Sequence, residues 1–140
     1  MEEIAIRKSL PSDTAFVVDT WLNNFKSDGY FAKRIRHSIY RYNHSKIINH
    51  LLERDDAETL IAYPYGDDPD IILGFIVHTK PSIIHYCFVK QELRGMGIGK
   101  KLLEYANLNV NNCIFTHWTF AMNDIFAKNS GMEYNPYLIF

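Results

Sequence analysis

The 140-residue sequence predicts an α/β fold with a mixed central β-sheet flanked by helices. Three observations predict it. Strand-like and helix-like segments follow one another in the order β-α-α-β-β-β-α-β-α-β. A glycine-rich turn, Arg94-Gly95-Met96-Gly97-Ile98-Gly99, joins the strand-like run Ser82–Val89 to the helix-like run Lys100–Asn109. The composition is 47% hydrophobic and 14% aromatic, which predicts one folded domain over residues 1–140 rather than a disordered chain.

Each element has its own signal. Ile4-Ala5-Ile6-Arg7 alternates as a strand does. Leu10-Pro11-Ser12-Asp13 reads as a turn carrying a helix cap, since Ser and Asp accept hydrogen bonds from the first free N–H groups. Phe16, Val17, Trp21, Leu22 and Phe25 recur at helical spacing and predict a helix over 14–24, with Gly29 beyond it. Residues 31–42 carry a faint helical pattern in Ile35, Ile39 and Tyr42. Ile47, Ile48, Leu51 and Leu52 give a clearer helix over 45–54. Short β-prone runs follow at 59–63 and 71–79, separated by the turn residues of 64–69 and closed by Lys80-Pro81. After the glycine turn and its helix come a strand at 114–119, a short helix at 123–129 closed by Ser130-Gly131, and a last strand at 133–140.

Charge and composition exclude several classes. The net charge of −1 exerts no overall pull on nucleic acid or membrane. No apolar run approaches the ~20 residues that span a bilayer. The acidic start Met1-Glu2-Glu3, followed by an amphipathic strand, is unlike a signal peptide. Cys87 and Cys113 lie in apolar runs without metal spacing, and read as reduced core thiols of a cytoplasmic protein.

The glycine turn carries the chemistry. A turn of this kind presents several backbone N–H groups at a helix N-terminus, where the helix dipole also favours an anion. The P-loop template fails, because Arg94 stands where its first glycine belongs and Lys101 where Ser or Thr belongs. The dinucleotide template fails at its third glycine, which is Lys100, and no acidic residue lies in 113–123. The pattern R/Q-x-x-G-x-G/A fits Arg94, Gly97 and Gly99. With its lead-in from Val89 and the following Leu102-Leu103, the segment 89–103 resembles the pyrophosphate-binding motif of the GCN5-related N-acetyltransferase (GNAT) superfamily. The element order also resembles the GNAT fold. Phe126-Ala127-Lys128-Asn129-Ser130-Gly131-Met132 weakly resembles that family's C-terminal segment.

The resemblance implies acetyl-CoA as cofactor and direct acetyl transfer to a primary amine, a protein lysine or N-terminus or a small amine. It implies that the N–H groups of Gly95, Met96, Gly97, Ile98 and Gly99 hold the pyrophosphate, with positive charge from Arg94, Lys100 and Lys101. The pantetheine arm would run beside the strand at 87–90, past Phe88 and Val89, with a backbone N–H acting on the thioester carbonyl. The family's usual acidic base falls on Ile83, a departure. His85 shares that face by strand parity and His117 lies on the next strand, so these two are the candidate bases. The family's usual thiolate-protonating tyrosine falls on Ala127, a second departure, which leaves Tyr134 as the candidate acid. Without these groups, the alternative is a catalytically weak or inactive GNAT-fold module that binds CoA, or that binds a nucleic-acid or acidic partner through the basic 33–46 segment.

Residues 30–51 contain no acidic side chain, but include Lys33, Arg34, Arg36, Arg41 and Lys46 with interleaved aromatics. The resemblance puts this segment at the border of the acceptor pocket. It would draw an acidic substrate, an acidic protein surface or a nucleic acid. The expected partners are therefore acetyl-CoA and an amine acceptor, with nucleic acid as an alternative, no membrane, and a monomer or homodimer.

Overall fold

A computed structural model describes residues 3–28, 32–119, 122, 128 and 131–139. A six-stranded sheet runs through it in the order β1 (Ile4–Lys8), β2 (Ala57–Pro64), β3 (Gly74–Thr79), β4 (Ile83–Val89), β5 (Ile114–Phe115) and β6 (Glu133–Tyr134). β1 to β4 pair antiparallel in sequence; β4–β5 and β5–β6 pair parallel, so the sheet is mixed.

Alternation along the strands splits the core in two. Ile61, Phe75, Val77 and Tyr86 face α1 (Thr14–Asp28) and α2 (His37–Glu53), where they meet Trp21, Phe25, Tyr40 and Ile48. Leu60, Ala62, Ile76 and Ile84 face α3 (Ile98–Tyr105), where they meet Ile98 and Leu102. Period-2 side chains on the strands and period-3.6 stripes on the helices make these two layers complementary.

Several boundaries differ from the sequence expectation. The faint pattern at 31–42 and the clear one at 45–54 belong largely to one helix, α2, whose buried stripe is Tyr40, His44, Ile48 and Leu51. His44 interrupts the apolar pattern in sequence yet occupies a core position. Helix α3 starts at Ile98 and stops at Tyr105, not Asn109. Asn107 takes φ of 59° there, and the N–H groups of Asn107 and Leu108 close back on the carbonyls of Glu104 and Leu103. That is a left-handed helix stop, which Asn tolerates well. The Asp13 carboxylate accepts backwards, from the Leu10 N–H and from Arg7, instead of capping α1. The predicted strand 114–119 pairs over only two residues. The strand expected at 133–140 stops at Tyr134, because Pro136, which has no N–H, begins a 3-10 turn. The helix expected at 123–129 falls, but for Lys128, outside the described residues.

Candidate active site

β4 and β5 form a fork. Ile114 donates its N–H to Ser82 O at 2.9 Å and Thr116 donates to Ile84 O at 3.1 Å; among the described residues, strand pairing between them ends there. On the other side of β4, Lys90 donates to Leu73 O at 3.0 Å. Antiparallel alternation then turns the backbone groups of Phe88 and Tyr86 toward β3 and those of Cys87 and Val89 toward the fork. The fork thus offers one strand's worth of backbone donors and acceptors with no described strand opposite.

The glycine turn sits at the mouth of this fork. Gly95 and Gly97 have φ of +85° and +83°, and Gly97 is the N-cap of α3. A Cβ at either would be strained by the backbone alone. Gly99 is different: a Cβ there would meet only Val89 Cγ2, at an ordinary 3.8 Å. The protein's own packing therefore does not require glycine at 99. The first helical bond of α3 runs from Lys101 N–H to Gly97 O at 3.0 Å, so the preceding N–H groups lack partners within the helix. Arg94 donates from Nε to Val89 O at 3.2 Å and stays exposed, which ties the turn to the end of β4. Lys100 is exposed; Lys101 reaches Ile4 O on β1 at 3.5 Å. A separate concavity of about 310 Å³ lies beside the turn, lined by Ile4, Pro64, Ile71, Leu73, Met96 and Ile98. Its lining is apolar apart from Asp67, which would repel a phosphate.

At the base of the fork lies a polar cluster. The pairing of β3 with β4 shifts between Val77 and His78, from Val77↔Tyr86 to His78↔Ile84, which leaves His85 as the extra residue of a β-bulge. The bulge re-aims His85, whose Nε2 lies 2.6 Å from Thr79 Oγ1 and whose Nδ1 lies 2.9 Å from Thr116 Oγ1. The same Thr116 hydroxyl is 2.9 Å from His117 Nδ1. His117 Nε2 is 2.9 Å from His44 Nε2 on α2. His117 also sits edge-on to Trp21 and Phe25, with ring centroids at 5.1 and 4.8 Å. Burial pushes His44 and His85 down to about 4, the Arg54 charge adding to the effect at His85. Burial lowers His117 well below its ordinary value, and the neighbouring His44 and His85 add to this. All three rings are therefore neutral at pH 7.

A family model described as "Acetyltransferase (GNAT) family" matches residues 18–107, which includes both helices of one face, the fork strand β4 and the glycine turn. The protein belongs to the GNAT acetyltransferase family. Solved structures share its fold. A Pyrococcus furiosus protein assigned as an acetyl transferase superposes with a TM-score of 0.62 at 19% identity, covering 75% of this chain and 72% of its own. A GCN5-related N-acetyltransferase from Rhodopseudomonas palustris gives 0.53 at 20% identity, covering 76% of this chain and 66% of its own. A GNAT-family acetyltransferase from Staphylococcus aureus Mu50 gives 0.50 at 21% identity, covering 74% and 63%. A search of curated proteins returns no match.

In this GNAT protein, the turn residues 94–100 are contiguous with Phe88 and Val89 at the end of β4. Phe88 packs on Phe75 at 5.4 Å on the α1/α2 face, and Val89 lies on the α3 face. His85 and His117 are brought together, joined through Thr116. Tyr134 is not placed with them. It is 37% exposed on β6, against Phe115 and Trp118 at 5.3 and 5.0 Å, in the α3-side cluster. The Ala127 position lies outside the described residues. Sequence reasoning missed Thr79, Thr116 and His44. The last was signalled by the spacing Tyr40, His44, Ile48, Leu51, which puts His44 on the buried stripe of a single helix.

Proposed function

We propose that the protein is an acetyl-CoA-dependent N-acetyltransferase that moves an acetyl group directly to a primary amine bound over the β4–β5 fork. The observation that carries this reading is the fork itself. Cys87 and Val89 turn a strand edge toward an opening, and that edge leads straight into a glycine turn at a helix N-terminus. A pantetheine arm has amide groups spaced to pair with such an edge, and a pyrophosphate suits the first N–H groups of α3. Gly99, not required by internal packing, suits the close approach of a ligand. When bound, acetyl-CoA supplies the activated thioester. The residues supply the rest: Arg94, Lys100 and the turn N–H groups hold the phosphates, the N–H of the Val89 region polarises the carbonyl, and His85 or His117 accepts the amine proton through the groups hydrogen-bonded to them. A histidine held near 4 takes up a proton only transiently, which suits it to passing a proton on rather than storing it.

The basic start of α2 supports a preference among acceptors. Arg34 and Arg36 are exposed, and the first turn of α2 holds no acidic residue. An amine acceptor that also carries a carboxylate or phosphate, or an acidic peptide, fits this lip better than a bare polyamine. The test is calorimetric titration with acetyl-CoA, followed by thiol release from acetyl-CoA over a panel of amines. Micromolar binding and acceptor-dependent thiol release are expected. Binding without thiol release on any amine would instead favour a CoA-binding module, and no binding by folded protein would remove both readings.

A further inference from the structure

The polar cluster beneath the fork is one uninterrupted series of hydrogen bonds. It runs Thr79 Oγ1, His85, Thr116 Oγ1, His117, His44, with separations of 2.6, 2.9, 2.9 and 2.9 Å. All five residues are buried, none more than 5% exposed. A neutral imidazole has one N–H and one bare nitrogen, and a threonine hydroxyl has one proton to give. Suppose His44 donates from Nε2 to His117 Nε2. His117 must then carry its proton on Nδ1 and give it to Thr116. Thr116 must donate to His85 Nδ1, and His85 must donate from Nε2 to Thr79. Reversing the first bond reverses all the others. A third arrangement would have Thr116 accept from both rings, but its buried hydroxyl has only these two described partners, so its own proton would be unsatisfied at a cost of roughly 1–3 kcal/mol. Two arrangements remain, and the passage of one proton from end to end converts one into the other.

The ends of the series lie in different places. Thr79 is the last residue of β3, beside exposed Lys80, whose N–H bonds to Asp56 O at 3.0 Å. The charges of Asp56 and Arg54 act on His85 from this side, with His78 adjacent. His44 lies midway along α2, nine residues before its C-terminal end at Glu53. Because β2 begins just after α2, and Ala57 pairs with Thr79, the Glu53 end of α2 lies on the Thr79 side, and His44 reaches His117 at the base of the fork. His117 follows β5 where that strand leaves the sheet.

We propose that Thr79, His85, Thr116, His117 and His44 act as a single proton relay, which takes a proton from the acceptor ammonium at the fork and releases one at the β3–β4 hairpin beside Asp56. This rests on the acetyl-transfer reading above. The ammonium N–H breaks, and its proton arrives at His44 Nδ1, directly or through a group bonded there. Each of the four bonds then passes one proton, and the hydroxyl proton of Thr79 leaves toward solvent past the exposed hairpin residues Lys80 and Asp56, leaving the neutral amine to attack the thioester. The return passage, with one proton entering at Thr79 and one leaving at His44, restores the first arrangement and is available to protonate the departing thiolate. Thr116 touches neither ligand in this scheme. It is a positioning residue that couples two imidazoles.

The relay predicts that His85 and His117 hold opposite tautomers, one with Nδ1–H and the other with Nε2–H. Long-range ¹⁵N–¹H NMR of the imidazoles at pH 7 reads this directly, without any ligand. Thr116→Val should uncouple the two tautomers and lower kcat about 10- to 100-fold, within the range of lost general acid–base catalysis, with the acetyl-CoA Kd changed less than twofold. Thr116→Ser should restore both. If Thr116→Val fails to fold, Thr79→Val opens the series at its hairpin end and should lower kcat to a similar extent, while His85 and His117 keep opposite tautomers through Thr116. Identical tautomers at His85 and His117, or an undiminished kcat in folded Thr116→Val, would overturn the relay while leaving acetyl transfer standing. Bound acetyl-CoA with no acetylation of any amine by wild-type protein would overturn the transfer reading and the relay's role together.

Discussion

Acidification should unfold this protein well above the pH at which carboxylates titrate. His44, His85 and His117 are the cause. In the unfolded chain each ring takes up a proton near 6.5; in the folded chain His44 and His85 do so only near 4, and His117 is lowered as well. Between these values the unfolded state binds more protons, so stability falls as the pH falls. The contribution is fully present above pH 6.5 and is lost progressively on the way down to about 4. For one ring shifted in this way, the loss between pH 7 and pH 5 is about 2 kcal/mol. His44 and His85 together remove about 4 kcal/mol, a large share of the ~5–15 kcal/mol that a domain has, and His117 adds to the loss. Among the described residues, His44 meets Phe25 and Tyr40, His117 meets Trp21 and Phe25, and at His85 the Arg54 charge outweighs that of Asp56. Urea unfolding at pH 7, 6 and 5, followed by Trp fluorescence and far-UV circular dichroism, measures this. His44→Gln, which keeps a hydrogen-bonding group toward His117, should flatten the slope by removing about 2 kcal/mol of the loss between pH 7 and pH 5. Stability that stays level from pH 7 to 5, or an unchanged slope in His44→Gln, would refute the reasoning.

Other outcomes follow from single positions. Gly97→Glu should abolish calorimetric binding of acetyl-CoA, since it sets a carboxylate at the phosphate end of α3; because φ there is +83°, a stability loss of about 1–2 kcal/mol should accompany it, measured by urea melts. Gly99→Ala should leave stability unchanged or slightly raised, by up to ~1 kcal/mol, while weakening acetyl-CoA binding, because only a ligand would contest that space. Gly74→Ala should cost about 1–3 kcal/mol, since its Cβ would fall 2.6 Å from Phe88 O and force β3 from β4. Arg7→Leu should destabilise through loss of the bidentate pair with Asp13, whose oxygens lie 2.7 and 3.0 Å from the guanidinium. Arg7 holds the Asp13 carboxyl below its ordinary 3.8, so this pair's contribution is present above that pH and lost only below it, a window separate from that of the histidines.

Local order determined much of what was legible. The glycine turn could be recognised because its requirements are local: φ above zero at Gly95 and Gly97 and a helix start immediately after them. The strands β1 to β4 and helix α1 were legible because apolar side chains repeat at the period of the element they form. The boundaries at Tyr105 and Tyr134 were less so, since one is decided by a left-handed Asn107 and the other by where Pro136 happens to meet a sheet edge.

The histidine–threonine cluster was the least legible part. Thr79, His85, Thr116, His117 and His44 come from β3, β4, the segment after β5, and α2, and no spacing in the sequence links them. His85 was a candidate by strand parity, but its orientation depends on a bulge, an extra residue that only the pairing of two strands can define. His44 fell between the segments expected at 31–42 and 45–54, and became a core residue once α2 ran as one helix. The sequence by itself determined the fold class and the glycine turn between a strand and a helix, because periodicity and backbone freedom act between near neighbours. Only the tertiary structure decided which imidazoles share hydrogen bonds and how far burial lowers their proton affinity, because desolvation and hydrogen-bond geometry depend on what packs around a ring from elsewhere in the chain.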